Sequence, residues 1–326
     1  MAKNSPLKKP PFGFNLFRKI VLFTQKHINK IRLLNKYEQF LVKKATATNT
    51  KEVIPFFIIG APRTGSTLLF QLLLNRYPFS YISNLASFFY TCPSTITVLS
   101  RHMLSKYQNR DLESKYGYIS GFAAPSEAGP LMDYWFGTDL TTINVPEKHI
   151  DFVRNSISAI SSVMGGPGLF KNMRLSLKIE PLAKMFPKAV FIHIRRDPVF
   201  VAQSIILTRR NLFQSDHEWW SYSLPQKKEL LKLQPFEQVA YQIKTIWDTI
   251  QTAQANLTAS KFIEISYDDL CQNTGNTLKL IEIVLLKNDI ILRKRGPMNF
   301  NIRQSEKIQI PENEWKRLQT IISEVF

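Results

Sequence analysis

Two short segments carry residues able to hold anions, and each follows an apolar run. The first is FFIIGAPRTGSTLL, Phe56 to Leu69. Gly60 and Gly65 permit a tight turn, Arg63 supplies a permanent cation, and Thr64, Ser66 and Thr67 supply hydroxyl donors. A strand that ends in such a turn and hands over to a helix gathers backbone N–H groups at one point. The helix dipole favours negative charge there. The second is IRRDPVFVAQS, Ile194 to Ser204. Arg196 can grip a phosphate with two N–H groups, and Ser204, eight residues later, adds a hydroxyl from the following helix. Arg195 is its neighbour, and neighbours on a strand point to opposite faces. Asp197 and Pro198 also read as a helix N-cap and first helical residue.

The first segment satisfies the phosphate-loop pattern G-x-x-x-x-G-K-[ST] from Gly60 to Gly65, but Ser66 stands at the lysine position. A loop without the lysine that reaches β- and γ-phosphates calls for another anion. GAPRTGSTLL resembles the 5′-phosphosulfate loop of the sulfotransferases, in particular their bacterial and tyrosylprotein-like branch, which reads P-R-[ST]-G-[ST]-[ST]-L-L. Cytosolic relatives carry Lys where this chain has Arg63. IRRDPVFVAQS resembles the family's 3′-phosphate motif, R-[DN]-P-x-x-x-x-x-S, which carries over to Arg196 and Ser204. YDDLCQNTGNTLKLIE resembles a segment whose tyrosine contacts adenine, here Tyr267, although the usual proline is replaced by Asn273 and Thr274. Tyr267 as a plain core aromatic stays open beside that reading.

The resemblance covers about residues 53 to 286. It implies an enzyme that moves a sulfuryl group from 3′-phosphoadenosine 5′-phosphosulfate (PAPS) to a hydroxyl acceptor by in-line displacement with a general base. The donor-binding residues would be Arg63, Thr64, Gly65, Ser66, Thr67, Arg196, Ser204 and Tyr267, with no metal. Arg63 would also stabilise charge growing on the bridging oxygen. Arg303 could reach a nucleotide phosphate or stand exposed.

For the base, the resemblance favours Glu127 in GFAAPSEAGPLMDYWFG, because related branches place a catalytic Glu in a P-x-E segment. Ala, Gly and Pro around it, with Trp135 and Phe136 following, suggest a desolvated carboxylate. A non-catalytic acid near a helix N-terminus remains the alternative. His102 lies between the two anion segments in an unfamiliar context, and His193 lies inside the apolar run AVFIHI and reads as core. Lys171 is a further candidate for donor contact. Trp219 and Trp220 read as stacking on the acceptor or packing beneath a loop.

The elements that position these groups alternate. Val53 to Gly60, Ala189 to Ile194 and Lys261 to Leu270 are short apolar runs rich in β-formers. Helical spacing follows them at Ser66 to Arg76, in VFVAQSIILTRR, and at Thr277 to Leu286. Strand–helix alternation predicts an α/β, P-loop-type three-layer fold: a central parallel sheet flanked by helices, with the ligand crevice at the strands' carboxyl ends. Residues 80 to 185 read as mostly helical, and 210 to 235 as a polar insertion.

The chain divides at sequence level into a basic extension, 1 to 50, and a catalytic domain, 51 to 326. The extension holds eleven of the 43 Lys and Arg and only one acid, Glu38. From Phe14 to Val42 its apolar residues recur at helical spacing between basic ones. It therefore reads as a helix packed on the domain or as one lying on an anionic membrane. The formal charge of +18 favours anionic partners. No zinc, helix-turn-helix or RNP pattern supports nucleic acid as one of them. The acceptor is read as a hydroxyl compound, with a glycan suiting the charge and aromatics. Two cysteines, no apolar run of 18 residues and no leader pattern suggest a cytoplasmic, at most membrane-peripheral, protein. The rival is a P-loop kinase or NTPase. It requires the missing lysine and an acid at a strand end, where Asp268 and Asp269 are available.

Overall fold

The computed structural model describes residues 24–25, 27–48, 53–107, 112–298, 300, 302, 304 and 307–326. Arg303 and residues 14–23 and 26 of the Phe14–Val42 pattern lie outside them.

Four parallel strands, β1 (Phe56–Ile59), β2 (Leu169–Lys171), β3 (Val190–Arg195) and β4 (Phe262–Ser266), form one sheet in the order β2-β1-β3-β4. Three follow from the apolar runs. The fourth, β2, has only three residues and no length over which a period shows, so the sequence reading passed over it inside the helical stretch 80–185. The acids Asp268 and Asp269 do not end a strand. Strand β4 stops at Ser266, whose Oγ accepts from the backbone N–H groups of both acids as the cap of the next helix. The position that a metal-binding acid would need in the kinase reading is thus taken by a helical turn.

Every β1 residue is fully buried, and its side chains alternate between two cores. Phe57 and Ile59 face one side with Phe170 and Phe191, while Phe56 and Ile58 face the other with Ile192 and Ile194. On the first face a phenylalanine row crosses the whole sheet. Phe170, Phe57, Phe191 and Phe262 are register partners on successive strands, with ring centroids 5.5–5.7 Å apart. A one-residue slip would turn these rings to the opposite face, so the row pins the register of all four strands.

Helices cover both faces, as the alternation predicts. On one side lie α2 (Ser66–Arg76), α8 (Tyr267–Gln272) and α9 (Thr274–Lys287). On the other lie α4 (Gly129–Phe136), α5 (Glu147–Met164), α6 (Pro198–Phe213), α7 (Pro235–Asn256) and α10 (Glu312–Val325). The basic extension contributes α1 (Arg32–Thr48), which packs on α5 and on α3 (Pro93–Leu99). Asp197 Oδ1 accepts from Val199 N at 2.7 Å, and Pro198 begins α6, as the capping pattern predicts. Both cysteines are buried and unbridged. No described helix is long and apolar enough to cross a membrane.

Candidate functional site

Because all strands run parallel, their carboxyl ends share one edge, and the β1–α2 and β3–α6 turns leave the sheet side by side. The first turn is wound tightly. Arg63 and Gly65 both adopt left-handed conformations, φ 71° and 91°. For a non-glycine residue that costs roughly 1 kcal/mol, and such strain gathers at functional sites. Gly65 precedes α2 without any side-chain cap, so the first N–H groups of that helix face outward with no acceptor of their own. The turn is braced from behind by Ser176, whose hydroxyl accepts from Gly60 N at 3.0 Å and donates to Gly60 O at 3.1 Å. Nothing in the sequence marks Ser176 for this task.

The two anion segments meet here. Arg63 donates from Nε to Ser204 Oγ at 2.9 Å, and Arg196 donates from Nη1 to the Arg63 carbonyl at 3.2 Å. Burial lowers the pKa of Arg63, and the nearby positive charge of Arg196 lowers it further. The Arg196 guanidinium lies 4.4 Å from the ring centroid of Tyr267. That ring in turn presses on Gly65, where an added Cβ would come within 2.7 Å of Cε2. Tyr267 is therefore a packed aromatic, 6% exposed, that also lines the crevice and supports Arg196. Arg195 turns away to pair with Glu264 at 2.8 Å and to stack on Trp247.

Arg63, Gly65, Ser66, Thr67, Arg196, Ser204 and Tyr267 all line one cavity of about 700 Å³. Thr64 does not. It is buried, and its hydroxyl donates to Ala61 O at 2.9 Å, so it shapes the turn. Glu127 lies on the same cavity wall. It precedes α4 through Ala128, itself in a left-handed conformation at φ 49°, and Asn172 Nδ2 donates to its carbonyl at 2.9 Å.

The Glu127 carboxylate is not shut away from water as the flanking residues suggest, its side chain being 41% exposed. It gains its setting from a partner. Lys171 ends β2 with a side chain only 3% exposed and is hydrogen-bonded to Glu127 Oε1 and, at 2.9 Å, to Thr67 Oγ1. The smallest residue stands opposite, since a Cβ on Gly117 (φ 90°) would approach Glu127 Oε1 to 2.6 Å. Lys171 therefore ties the base candidate to the phosphate-type loop, a link that depends on the unforeseen strand β2. His102 is exposed on the helix Arg101–Lys106, outside the cavity lining. His193 is in the core at 3% exposure. Trp219 packs under its own loop, donating from Nε1 to Tyr222 O at 3.0 Å, whereas Trp220 lines the cavity.

Among the described residues, the lining holds four cations, Arg63, Lys171, Arg174 and Arg196, against the single acid Glu127. Arg174 is balanced from outside by Asp133 at 2.8 Å. A lining with this excess of cations, hydroxyls and a helix N-terminus suits an anionic ligand.

Comparison with known proteins agrees. Residues 55–283 match the model of the family described as "Sulfotransferase family", close to the span the sequence motifs covered. No curated protein sequence matches. Among solved structures, the sulfotransferase STF9 from Mycobacterium avium matches with a TM-score of 0.54 and 18% identity, over 98% of this chain and 79% of that one. The sulfotransferase STF1 from Mycobacterium tuberculosis H37Rv matches with a TM-score of 0.50 and 16% identity, over 84% of this chain and 77% of that one. At such identities the two structures speak for the fold.

Proposed function

The chain belongs to the sulfotransferase family, and from that premise we propose that it transfers a sulfuryl group from PAPS to a hydroxyl of an acceptor molecule. One observation carries the choice of donor: the Arg63–Ser204 hydrogen bond, which joins the two anion segments into a single cationic cleft. A donor with phosphate groups at both ends of a nucleoside fits a cleft whose two basic-and-hydroxyl clusters are held together.

When bound, PAPS supplies an activated sulfuryl group whose sulfur–oxygen bond to the nucleotide breaks as the acceptor oxygen bonds to sulfur. The chain's own groups divide the remaining work. The open N–H groups at the start of α2, with Ser66 and Thr67, hold the 5′ end. Arg196 and Ser204 hold the 3′-phosphate. Glu127 takes the acceptor's hydroxyl proton. Lys171 directs two of its three N–H bonds to Thr67 and Glu127, so it fixes the carboxylate and keeps positive charge beside the transferred group. By analogy with phosphoryl transfer, positioning and electrostatics supply most of the acceleration. The acceptor enters past the exposed Tyr116 and the half-buried Trp220, aromatics that suit a sugar or another ring-bearing alcohol.

Calorimetry tests the reading. Adenosine 3′,5′-bisphosphate should bind without Mg²⁺ at least about tenfold more tightly than AMP, since it adds one charge-assisted phosphate contact. Equal affinities would remove the basis for PAPS as donor.

A further inference from the structure

Helix α1 has two faces with opposite fates. Its inner face is fastened to the domain. Glu38, 1% exposed, accepts at Oε2 from Thr95 N (2.7 Å) and Thr95 Oγ1 (2.9 Å). At Oε1 it accepts from Ser94 N and Ser156 Oγ, both at 3.2 Å. The only acid of the extension thus caps the N-terminus of α3 from another element and reaches α5 as well. Just before the helix, Asn29 makes further bonds: Nδ2 donates to Phe88 O and Oδ1 accepts from Thr91 N, each at 3.0 Å. Lifting α1 off would break all four hydrogen bonds to Glu38 and take the cap from the N-terminus of α3, so the helix stays where it is and displays only its outer face.

Over its first three turns that outer face is apolar where water should be, and the exposed Lys44, at i+11 from Leu33, ends the stripe. Leu33, Tyr37 and Phe40, at i, i+4 and i+7, are 77%, 41% and 57% exposed, and Ile31 just ahead of them is 43% exposed. The Tyr37 and Phe40 rings stack on one another with centroids 5.9 Å apart. Beside this stripe, Arg32, Lys36 and Lys43 are exposed on the next arc of the helix, and none forms an ion pair with a described residue. No acid stands on the outer face.

Apolar side chains bordered by uncompensated cations match a surface that is apolar below and anionic above. We infer that the outer face of α1 docks the enzyme on an anionic lipid bilayer. Leu33, Tyr37 and Phe40 enter the headgroup region, and Arg32, Lys36 and Lys43 meet lipid phosphates and carboxylates. Packing on the domain and lying on a membrane, alternatives in the sequence, are divided between the two faces of one helix.

The test uses full-length protein and co-sedimentation with vesicles of phosphatidylcholine alone or with about 30 mol% phosphatidylserine, a strongly anionic surface. The protein should partition onto the anionic vesicles at least about tenfold more than onto neutral ones, and raised salt should weaken it. Leu33→Ser/Phe40→Ser and Lys36→Glu/Lys43→Glu should each lower partitioning about tenfold or more, with unchanged melting temperature and nucleotide affinity. Three results overturn the inference. One is absence of wild-type binding to anionic vesicles. Another is undiminished binding in both double variants, which would assign lipid contact to another part of the chain such as residues 1–23. The last is a solution dimer that Leu33→Ser/Phe40→Ser converts to monomer without any lipid binding having been present, which would assign the face to a second copy.

Discussion

Arg63 and Ser204 are 141 residues apart in the chain, yet Arg63 Nε donates to Ser204 Oγ at 2.9 Å. The first loop's cation is therefore aimed by the second motif's hydroxyl, and the two anion subsites are mechanically one. Loss of Ser204 should do more than delete a phosphate contact, because it also releases Arg63. Ser204→Ala should weaken bisphosphate binding about tenfold or more. Arg63→Ala should lower kcat/KM about a hundredfold or more. In a double-mutant cycle read by calorimetry and steady-state kinetics, the two losses should fall short of additivity. Additive losses would mean that the subsites act independently.

Adjacent arginines give a second check with an internal control. Arg196 lines the cavity against Tyr267, whereas Arg195 is engaged outside it by Glu264 and Trp247. Arg196→Ala should cost about tenfold or more in affinity for adenosine 3′,5′-bisphosphate. Arg195→Ala should leave that affinity within about twofold, because an exposed ion pair is worth at most about 1 kcal/mol. Calorimetry on the two variants distinguishes them.

The anion segments were legible because their chemistry is local: a strand, a tight turn and a helix are written in consecutive residues. The Glu127–Lys171–Thr67 chain was legible only in parts. Its geometry depends on β2, which is too short to show a period and is identified by pairing with β1 rather than by its own pattern. Ser176, which braces Gly60 from a distant turn, leaves no mark at all, since a serine is compatible with almost any setting. The misplacement of Asp268 and Asp269 has a similar origin. An apolar run does not say where a strand stops, and only the Ser266 cap shows that α8 has already begun.

Two glycines with nearly equal backbones separate strain from close approach. Gly65 and Gly165 have φ of 91° and 84°, but an added Cβ meets nothing within 4 Å at Gly165 and meets the Tyr267 ring at Gly65. Gly165→Ala should cost about 1 kcal/mol from the left-handed conformation alone. Gly65→Ala should cost about 1–3 kcal/mol more, as the ring must move. It should also weaken nucleotide binding, because Tyr267 carries Arg196. Urea unfolding and calorimetry measure the two effects; equal unfolding midpoints would show that the ring yields freely.

His193 should make the fold sensitive to mild acid. Burial holds its pKa down at about 4 despite Glu264 nearby, and neither ring nitrogen has a hydrogen-bond partner among the described residues. In the unfolded chain the group titrates near 6.5. Above that pH both states are neutral and stability is complete. As pH falls from 6.5 toward 4, the unfolded state takes up the proton first, and stability declines by about 3 kcal/mol in all. His193→Leu should abolish that portion. Between pH 7.5 and 5, wild type should therefore lose about 2 kcal/mol more than the variant in urea unfolding. Parallel losses would show that the imidazole is hydrated in the folded state.

The pairing of Glu127 with Lys171 admits a test of what the carboxylate is for. If Glu127 served only to neutralise a buried ammonium, then Glu127→Gln would leave Lys171 uncompensated, and adding Lys171→Met would relieve the damage. If it accepts the acceptor's proton, no second substitution can replace it. Glu127→Gln should then lower kcat about 10²- to 10⁴-fold, while adenosine 3′,5′-bisphosphate binds within about threefold of wild type because the proposed phosphate contacts fall to Ser66, Thr67, Arg196 and Ser204. The Glu127→Gln/Lys171→Met enzyme should be as inactive as the single variant, the two residues failing as a unit. Recovery of turnover in the double variant, measured with the same acceptor and at equal stability, would reassign the proton to another group in the cavity.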